Sequence, residues 1–308
     1  MQFPRYDINK YDPKRMMLIP LLIFLVAAAI VGFTFASIGM PVTPGIDFVG
    51  GTAVTIHTTD TKEQITAFFA DCALISIDEG VGTAGDYSSY YLTFESISND
   101  EELKRFNNKT LGKYPDARID HTGANFGATL QSKAMIALLF AFISMALVVF
   151  IAFRKLIPAA TVVFAGIADI TITAGTMNLL GIELSLATTA ALLMLIGYSV
   201  DSNILLTSKI LKQQGKLVDK MAGAFHTGFI MTTTTLSAIV VMLIVAVVGQ
   251  VPTLSSIAAV LVIGLICDMI LTWAFNAGAL RLYLESEEGK KQPSHARQKI
   301  KRAKGVKS

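Results

Sequence analysis

The sequence is poor in charge and in cysteine. Asp, Glu, Lys and Arg make up 16% of its 308 residues, while 53% are hydrophobic. The mean hydropathy is +0.56. A soluble domain of this length is rarely so apolar. The two cysteines, Cys72 and Cys267, are far apart, and the second sits inside a long apolar run, so neither a disulfide framework nor a zinc-type spacing is present. There is no GxGxxG or P-loop string, no catalytic triad and no cluster of metal ligands. These absences argue against an enzyme and predict no cofactor and no metal. Basic residues are not interleaved with aromatics, which argues against a nucleic-acid partner. One further lack bears on chemistry. No Lys, Arg or His lies deep in any long apolar run; Lys133, His226 and Arg281 all fall near run ends.

What the chain does have is six such runs. One covers residues 16–38 and is followed by an insert, 39–130; five more cover approximately 132–153, 158–180, 185–208, 228–248 and 254–283. A helix needs about 20 apolar residues to cross a hydrocarbon core of about 30 Å. The expected architecture is therefore an α-helical polytopic membrane protein with six transmembrane helices in a 1+5 arrangement, the last five forming a bundle over 131–284. The first run exceeds the length of a signal-peptide core and no convincing cleavage site follows it, so it reads as an anchor.

The net charge of +3 hides an asymmetry. Arg5, Lys10, Lys14 and Arg15 precede the first run, Arg154 and Lys155 separate the second and third, and Lys209, Lys212, Lys216 and Lys220 separate the fourth and fifth. A basic tail follows the sixth, whereas the loops 181–184 and 249–253 carry no Lys or Arg. The positive-inside rule then puts the N-terminus (1–15) and the tail (285–308) in the cytoplasm and the insert outside, in a multi-pass protein of the cytoplasmic membrane. The tail is expected to lie beside the anionic lipid bilayer.

The insert reads as a compact α+β unit. Residues 52–58 alternate as a strand does, 61–72 has helical spacing, 74–77 and 88–95 are strands around a turn with Gly80, Gly82 and Gly85, Asn99 caps a second helix, and 117–121 is a last strand. The order βαββαβ is the ferredoxin-like pattern, which by itself says little of function. His57 and His121 have no ligand partners at useful spacing and read as strand-face residues.

Between the first run and the first strand stands GIDFVGGT: Gly45, Ile46, Asp47, Phe48, Val49, Gly50, Gly51 and Thr52. Its glycines permit tight backbone and Asp47 can cap a turn. In the fourth run stands GYSVDSN: Gly197, Tyr198, Ser199, Val200, Asp201, Ser202 and Asn203. Gly181-Ile182-Glu183 precedes that run, and Asn125-Phe126-Gly127 precedes the second. Placed in this topology, these strings resemble the signatures of the SecD and SecF proteins, and the chain resembles the archaeal type of SecF over residues 16 to 284. The resemblance implies a half-unit related to the RND exporters. Its implied partners are a SecD-like subunit in a heteromer, a SecY-type channel and translocating polypeptides, with proton-motive force as a proposed drive. Gly45, Asp47, Gly50, Gly51, Gly197 and Tyr198 are its structural signature.

Three carboxylates lie within apolar runs: Asp169, Asp201 and Asp268. Such a group costs about 2.5–3.5 kcal/mol at the bilayer centre even on lenient scales, and it normally faces the bundle interior or water. Gly264, Asp268, Thr272 and Asn276 recur every four residues; Asp169 shares a face with Thr173 and Thr176; Gly197 lies one turn before Asp201. Without a cation nearby, three roles stay open: hydrogen-bonding helices together, carrying protons, or pairing with a cation from another subunit. The family motif adds weight to proton handling by Asp201. Bacterial members of the resembled family carry an arginine early in the fifth span; here that position falls at about Thr227, beside His226, and a threonine does not supply the charge. The competing functions are half of an RND-type exporter of small molecules or lipids, and a passive structural subunit of the translocon.

Overall fold

The computed structural model describes residues 12–79, 88–97, 99–215 and 217–286. Among these residues six helices are long and apolar enough to cross a membrane. Helix α1 spans Pro13–Ile38; it starts where Asp12 accepts from the Lys14 N–H at 3.1 Å and stops at Gly39, whose φ of 80° ends the helical path. After the inserted domain come α5 (Ala124–Phe153), α6 (Leu156–Leu180), α7 (Leu186–Lys212), α8 (Leu217–Val248) and α9 (Pro252–Ile270). Helix α9 passes through a π-type turn, Leu271–Asn276, and runs on to Ser286.

Two helices begin well before the apolar runs they contain, α5 at Ala124 and α8 at Leu217. Hydropathy reports only the part in hydrocarbon, whereas the backbone ladder continues into water wherever no breaker intervenes. The early start of α5 matters, because only Gly123 separates it from the last strand of the inserted domain.

Helices α6, α7 and α9 form the centre of the bundle, with α1, α5 and α8 more exposed at its periphery. Since lipid is as apolar as a leucine side chain, close packing of small residues holds such helices together. A Cβ on Gly175 of α6 would lie 3.0 Å from Ala27 Cβ of α1, and one on Gly264 of α9 would lie 2.2 Å from Leu195 Cδ2 of α7. At the end of the bundle that carries the basic loops, Gly228 of α8 makes room for the Trp273 ring in the same way.

The inserted domain is a four-stranded antiparallel sheet, β1 (Gly51–Thr58), β2 (Leu74–Glu79), β3 (Ser88–Phe94) and β4 (Arg118–Thr122), in the order β2-β3-β1-β4. With α3 (Lys62–Phe68) and α4 (Asp100–Lys113) this is the ferredoxin-like arrangement. Thr61 and Gln64 form a capping box on α3, and Asn99 accepts from Glu101 N–H at the start of α4. Val54, Ile56, Ile65, Phe69, Leu92 and Phe94 build the core. Helix α3 stops at Phe68, short of Cys72, because the chain turns there and sends the Phe69 ring into that core. The turn with Gly80, Gly82 and Gly85 and the basic tail from residue 287 lie outside the described residues.

Candidate functional site: a polar cluster inside the bundle

The apolar helices α6, α7 and α9 meet on a set of polar side chains. Asp169 of α6 is 0% exposed and Asp268 of α9 is 1% exposed, both beside Ser199 of α7. Asp268 is well held. Ser202 donates to Oδ2 at 2.8 Å, Thr272 to Oδ1 at 3.2 Å, and Asn203 Nδ2 reaches Oδ1 at 3.5 Å. Asn276 in turn donates to Asn203 Oδ1 at 2.7 Å, while Asn203 also donates to the Ser199 carbonyl at 2.7 Å. Asp169 differs: neither of its oxygens has a hydrogen-bond partner, and neither do Thr173 Oγ1 and Ser199 Oγ. Ser199 stands beside both carboxyls without the geometry of a formed bond.

This arrangement follows from spacing along two helices. On α7, Ser199, Ser202, Asn203 and Thr207 recur at three- and four-residue steps and so line one buried face. On α9, a strict four-residue repeat overshoots a 3.6-residue turn by about 40° each time. The wider π turn at Leu271–Asn276 offsets that drift, so Thr272 and Asn276 both stay buried in the cluster with Asp268. Among the described residues neither carboxyl takes part in an ion pair. No group of three His, Cys, Asp or Glu side chains among them comes together to hold a metal. The cluster thus sets two buried carboxyls among hydroxyl and amide groups, one carboxyl held by donors and the other without any.

Asp201 is not part of this cluster. It lies on the opposite, exposed side of α7, in a strip with Ala190, Met194 and Gly197. Its sequence neighbour Ser202 is the residue that reaches Asp268. Of the three carboxylates expected to face the bundle interior or water, Asp169 and Asp268 face the interior and Asp201 does not, because a one-residue step on a helix turns a side chain by about 100°. The threonines that open the fifth span are mostly spent on their own helix: Thr233, Thr234 and Thr235 donate to α8 carbonyls. At Thr227 the charge that the side chain lacks arrives from α7, since Lys209 Nζ donates to Thr227 Oγ1 at 2.7 Å and to the Gly223 carbonyl at 3.2 Å.

At the end of the bundle next to the sheet, the signature strings pack on one another. Gly45–Val49 closes into the one-turn helix α2, Ile46–Val49, a helix the sequence did not suggest. Gly45 N–H donates to the Leu184 carbonyl at 2.9 Å and Leu184 N–H to the Thr43 carbonyl at 2.8 Å. Asp47 Oδ2 accepts the Leu186 N–H at 2.9 Å, so it caps α7 and not its own turn. Gly50 has φ of 85°, and a Cβ there would lie 2.6 Å from Ala124 Cα; a Cβ on Gly127 would lie 2.9 Å from the Phe48 carbonyl oxygen. The Glu183 carboxyl lies over Gly45. Gly197 and the partly buried Tyr198 belong to the bundle, Gly197 facing open space and Tyr198 packed on its core. The two histidines pair with hydroxyls on neighbouring strands, His57 with Ser89 and His121 with Thr52, each at 2.8 Å. The sequence assigns no contact to Thr207, and it names Lys209 only as a loop charge and Glu183 only as part of the string before the fourth run. The i, i+4 step from Asn203 to Thr207 was the available signal for the first; the other two depend on chain segments that meet only in the fold.

A bundle of six apolar helices with buried carboxyls and one ferredoxin-like domain after the first helix defines a multi-pass membrane protein of transporter type. The family described as protein export membrane protein SecD/SecF, C-terminal, matches residues 102–286. The chain is 52% identical to the protein-export membrane protein SecF of Methanolacinia petrolearia, over 91% of this chain and 97% of that one. It is 38% identical to the protein of the same name from Haloferax volcanii, over 91% and 96%. Among solved structures, SecDF of Thermus thermophilus, a translocon-associated membrane protein, superposes with a TM-score of 0.69 at 21% identity; the match covers 92% of this chain and 39% of the SecDF chain. A super-membrane-facing form of SecDF gives 0.55 at 20% identity. The chain belongs to the SecD/SecF family.

Proposed function

We propose that this chain is the SecF-type half of a protein-export unit. It works beside a SecD-like subunit and a SecY-type channel, with both termini in the cytoplasm and residues 39–130 outside, and assists polypeptides across the cytoplasmic membrane. The observation that carries a proton-driven form of this reading is the Asp169–Asp268 pair, both buried in the same polar cluster, with both Asp169 oxygens unpaired. A charge moved across 100 mV is worth about 2.3 kcal/mol, enough to bias a conformational step. Asp268 is the member held in position by hydroxyl and amide donors; Asp169 is the member free to take and give a proton. Asp201 faces away from the pair and is available to a partner in the bilayer. A six-helix bundle with one exposed carboxylate, Asp201, suits one half of a two-fold transporter.

The test is export of a secretory precursor into vesicles that hold the chain with its SecD-like partner, with and without an imposed proton gradient. Asp169→Asn and Asp268→Asn keep size and hydrogen bonding and remove titration. Both are expected to abolish the gradient-stimulated part while the complex still assembles. A passive structural role has one observation in its favour, the set of donors already satisfying Asp268. Under that role both Asn variants export like the parent.

A further inference from the structure

The polar cluster continues on one side of the carboxyl pair and stops on the other. Towards the outer domain, Leu195 fills the notch at Gly264, and Leu192, Leu261 and Leu265 close around it, each 2% exposed or less. Towards the chain termini, polar side chains follow one another. Ser202 and Thr272 hydroxyls are 3.1 Å apart, and Asn203 and Asn276 are joined at 2.7 Å. The series ends on Thr207 Oγ1 and Asn276 Oδ1, both on residues 0% exposed and both without a protein partner. A buried polar atom without a partner is costly in a bundle core and is the kind of group on which a transient water docks. One turn beyond stand Ile210, Met221 and Leu280, each 1% exposed or less. Beside them the Trp273 ring is wedged against Gly228 of α8, edge-on to Phe225 at 5.0 Å.

We infer that the Asp169–Asp268 pair exchanges protons with the side of the membrane that holds the termini, along Ser202, Thr272, Asn203, Asn276 and Thr207, and that Trp273 with its apolar neighbours is the gate of this path. This rests on the reading that the pair handles protons. The amides do not relay a proton themselves; they orient water entering at Thr207 and Asn276. A proton arrives as hydronium, binds a carboxylate oxygen of the pair and leaves water behind, and release reverses the step. Trp273 lies inside the π turn, where the regular i to i+4 ladder of α9 is already broken. That segment is where the helix can rotate with the least loss of backbone bonding. The gate is closed in this conformation, since Thr207 and Asn276 are fully buried.

The experiment uses the assembled complex in native vesicles, right-side-out and inverted, with Cys72 and Cys267 replaced by serine. Thr207→Cys and Asn276→Cys are each probed with a charged, membrane-impermeant methanethiosulfonate. Gln213→Cys reports the terminal face and Leu192→Cys serves as the sealed control. Positions 207 and 276 are expected to react only from the face that labels Gln213→Cys, and several-fold faster when Trp273→Ala or Leu280→Ala is added. Leu192→Cys is expected to stay unreactive from both faces. Reaction from the opposite face, or none at 207 and 276 in either gate variant that still copurifies with its partner, overturns the inference. The labelling does not depend on export. If labelling follows the expected pattern while the Asn variants of the pair export normally, the path stands as a water path and the proton reading falls.

Discussion

Lys209 Nζ donates to the Thr227 hydroxyl across 2.7 Å, tying the end of α7 to α8 at the position where the chain's own α8 side chain offers no charge. The clip puts a cation on the face of α7 two turns below Asp201, in a bundle that otherwise keeps positive charge out of its apolar spans. If that charge takes part in the response to a gradient, Lys209→Gln lowers gradient-stimulated export several-fold and Lys209→Arg preserves it. The stability cost stays below about 1 kcal/mol, because the pair is exposed. Equal export by both variants would reduce Lys209 to a surface contact.

Removing one donor from the buried carboxyl should be felt in stability. Ser202→Ala leaves Asp268 Oδ2 without its 2.8 Å hydroxyl. The expected loss is about 1–3 kcal/mol, the cost of leaving a buried acceptor unpaired. Thermal unfolding of the detergent-solubilised complex measures it. Combined with Asp268→Leu, which removes the acceptor as well, the two losses should not add, since they break one interaction. Strict additivity would mean that the Ser202–Asp268 bond is not formed in solution.

The outer latch has a similar internal control. Asp47→Ala removes the acceptor for Leu186 N–H at the start of α7, which should cost about 0.5–2 kcal/mol, and Asp47→Asn should recover most of it. Gly50→Ala should be worse than either. It forces a side chain into a backbone with φ of 85° and into contact with Ala124. Unfolding midpoints together with protease cutting between α1 and β1 rank the three. Asp47→Ala behaving like the parent would remove the cap from the account.

Glu183 gives a pH prediction. Burial first, then the carboxylates of Asp78 and Asp47, hold its pKa above the usual Glu range. An acid raised in the folded state keeps its proton after the unfolded chain has lost its own. Stability therefore falls as pH rises from the ordinary Glu range to the raised value, and the penalty is complete above it. Glu183→Gln should be more stable than the parent at neutral pH, and the gain should vanish below about pH 4. Melting curves across that window decide it; a gain that persists at the acid end would assign the effect to packing at Gly45.

Much of this molecule is decided by local sequence. Six long apolar runs and an alternation of strand and helix patterns in residues 39–130 are enough for the 1+5 layout and the βαββαβ order, since lipid and sheet each impose a simple periodicity on the chain. Asn99 and Thr61 announce their helices by short-range capping, and Asp169 and Asp268 announce themselves by the cost of a carboxylate in hydrocarbon. What the sequence did not decide is which carboxyl meets which. Asp201 and Ser202 are adjacent in the chain, yet a helical step of about 100° sends the first to the surface and the second to Asp268. The π turn that keeps Asn276 in the cluster has no local signature, because it answers to the drift of a four-residue repeat against neighbouring helices. Asp47 on α7, Lys209 on Thr227 and Glu183 over Gly45 are contacts between distant or separately folded segments. Only the packing of the helices, set by where small residues let backbones approach, brings them within reach.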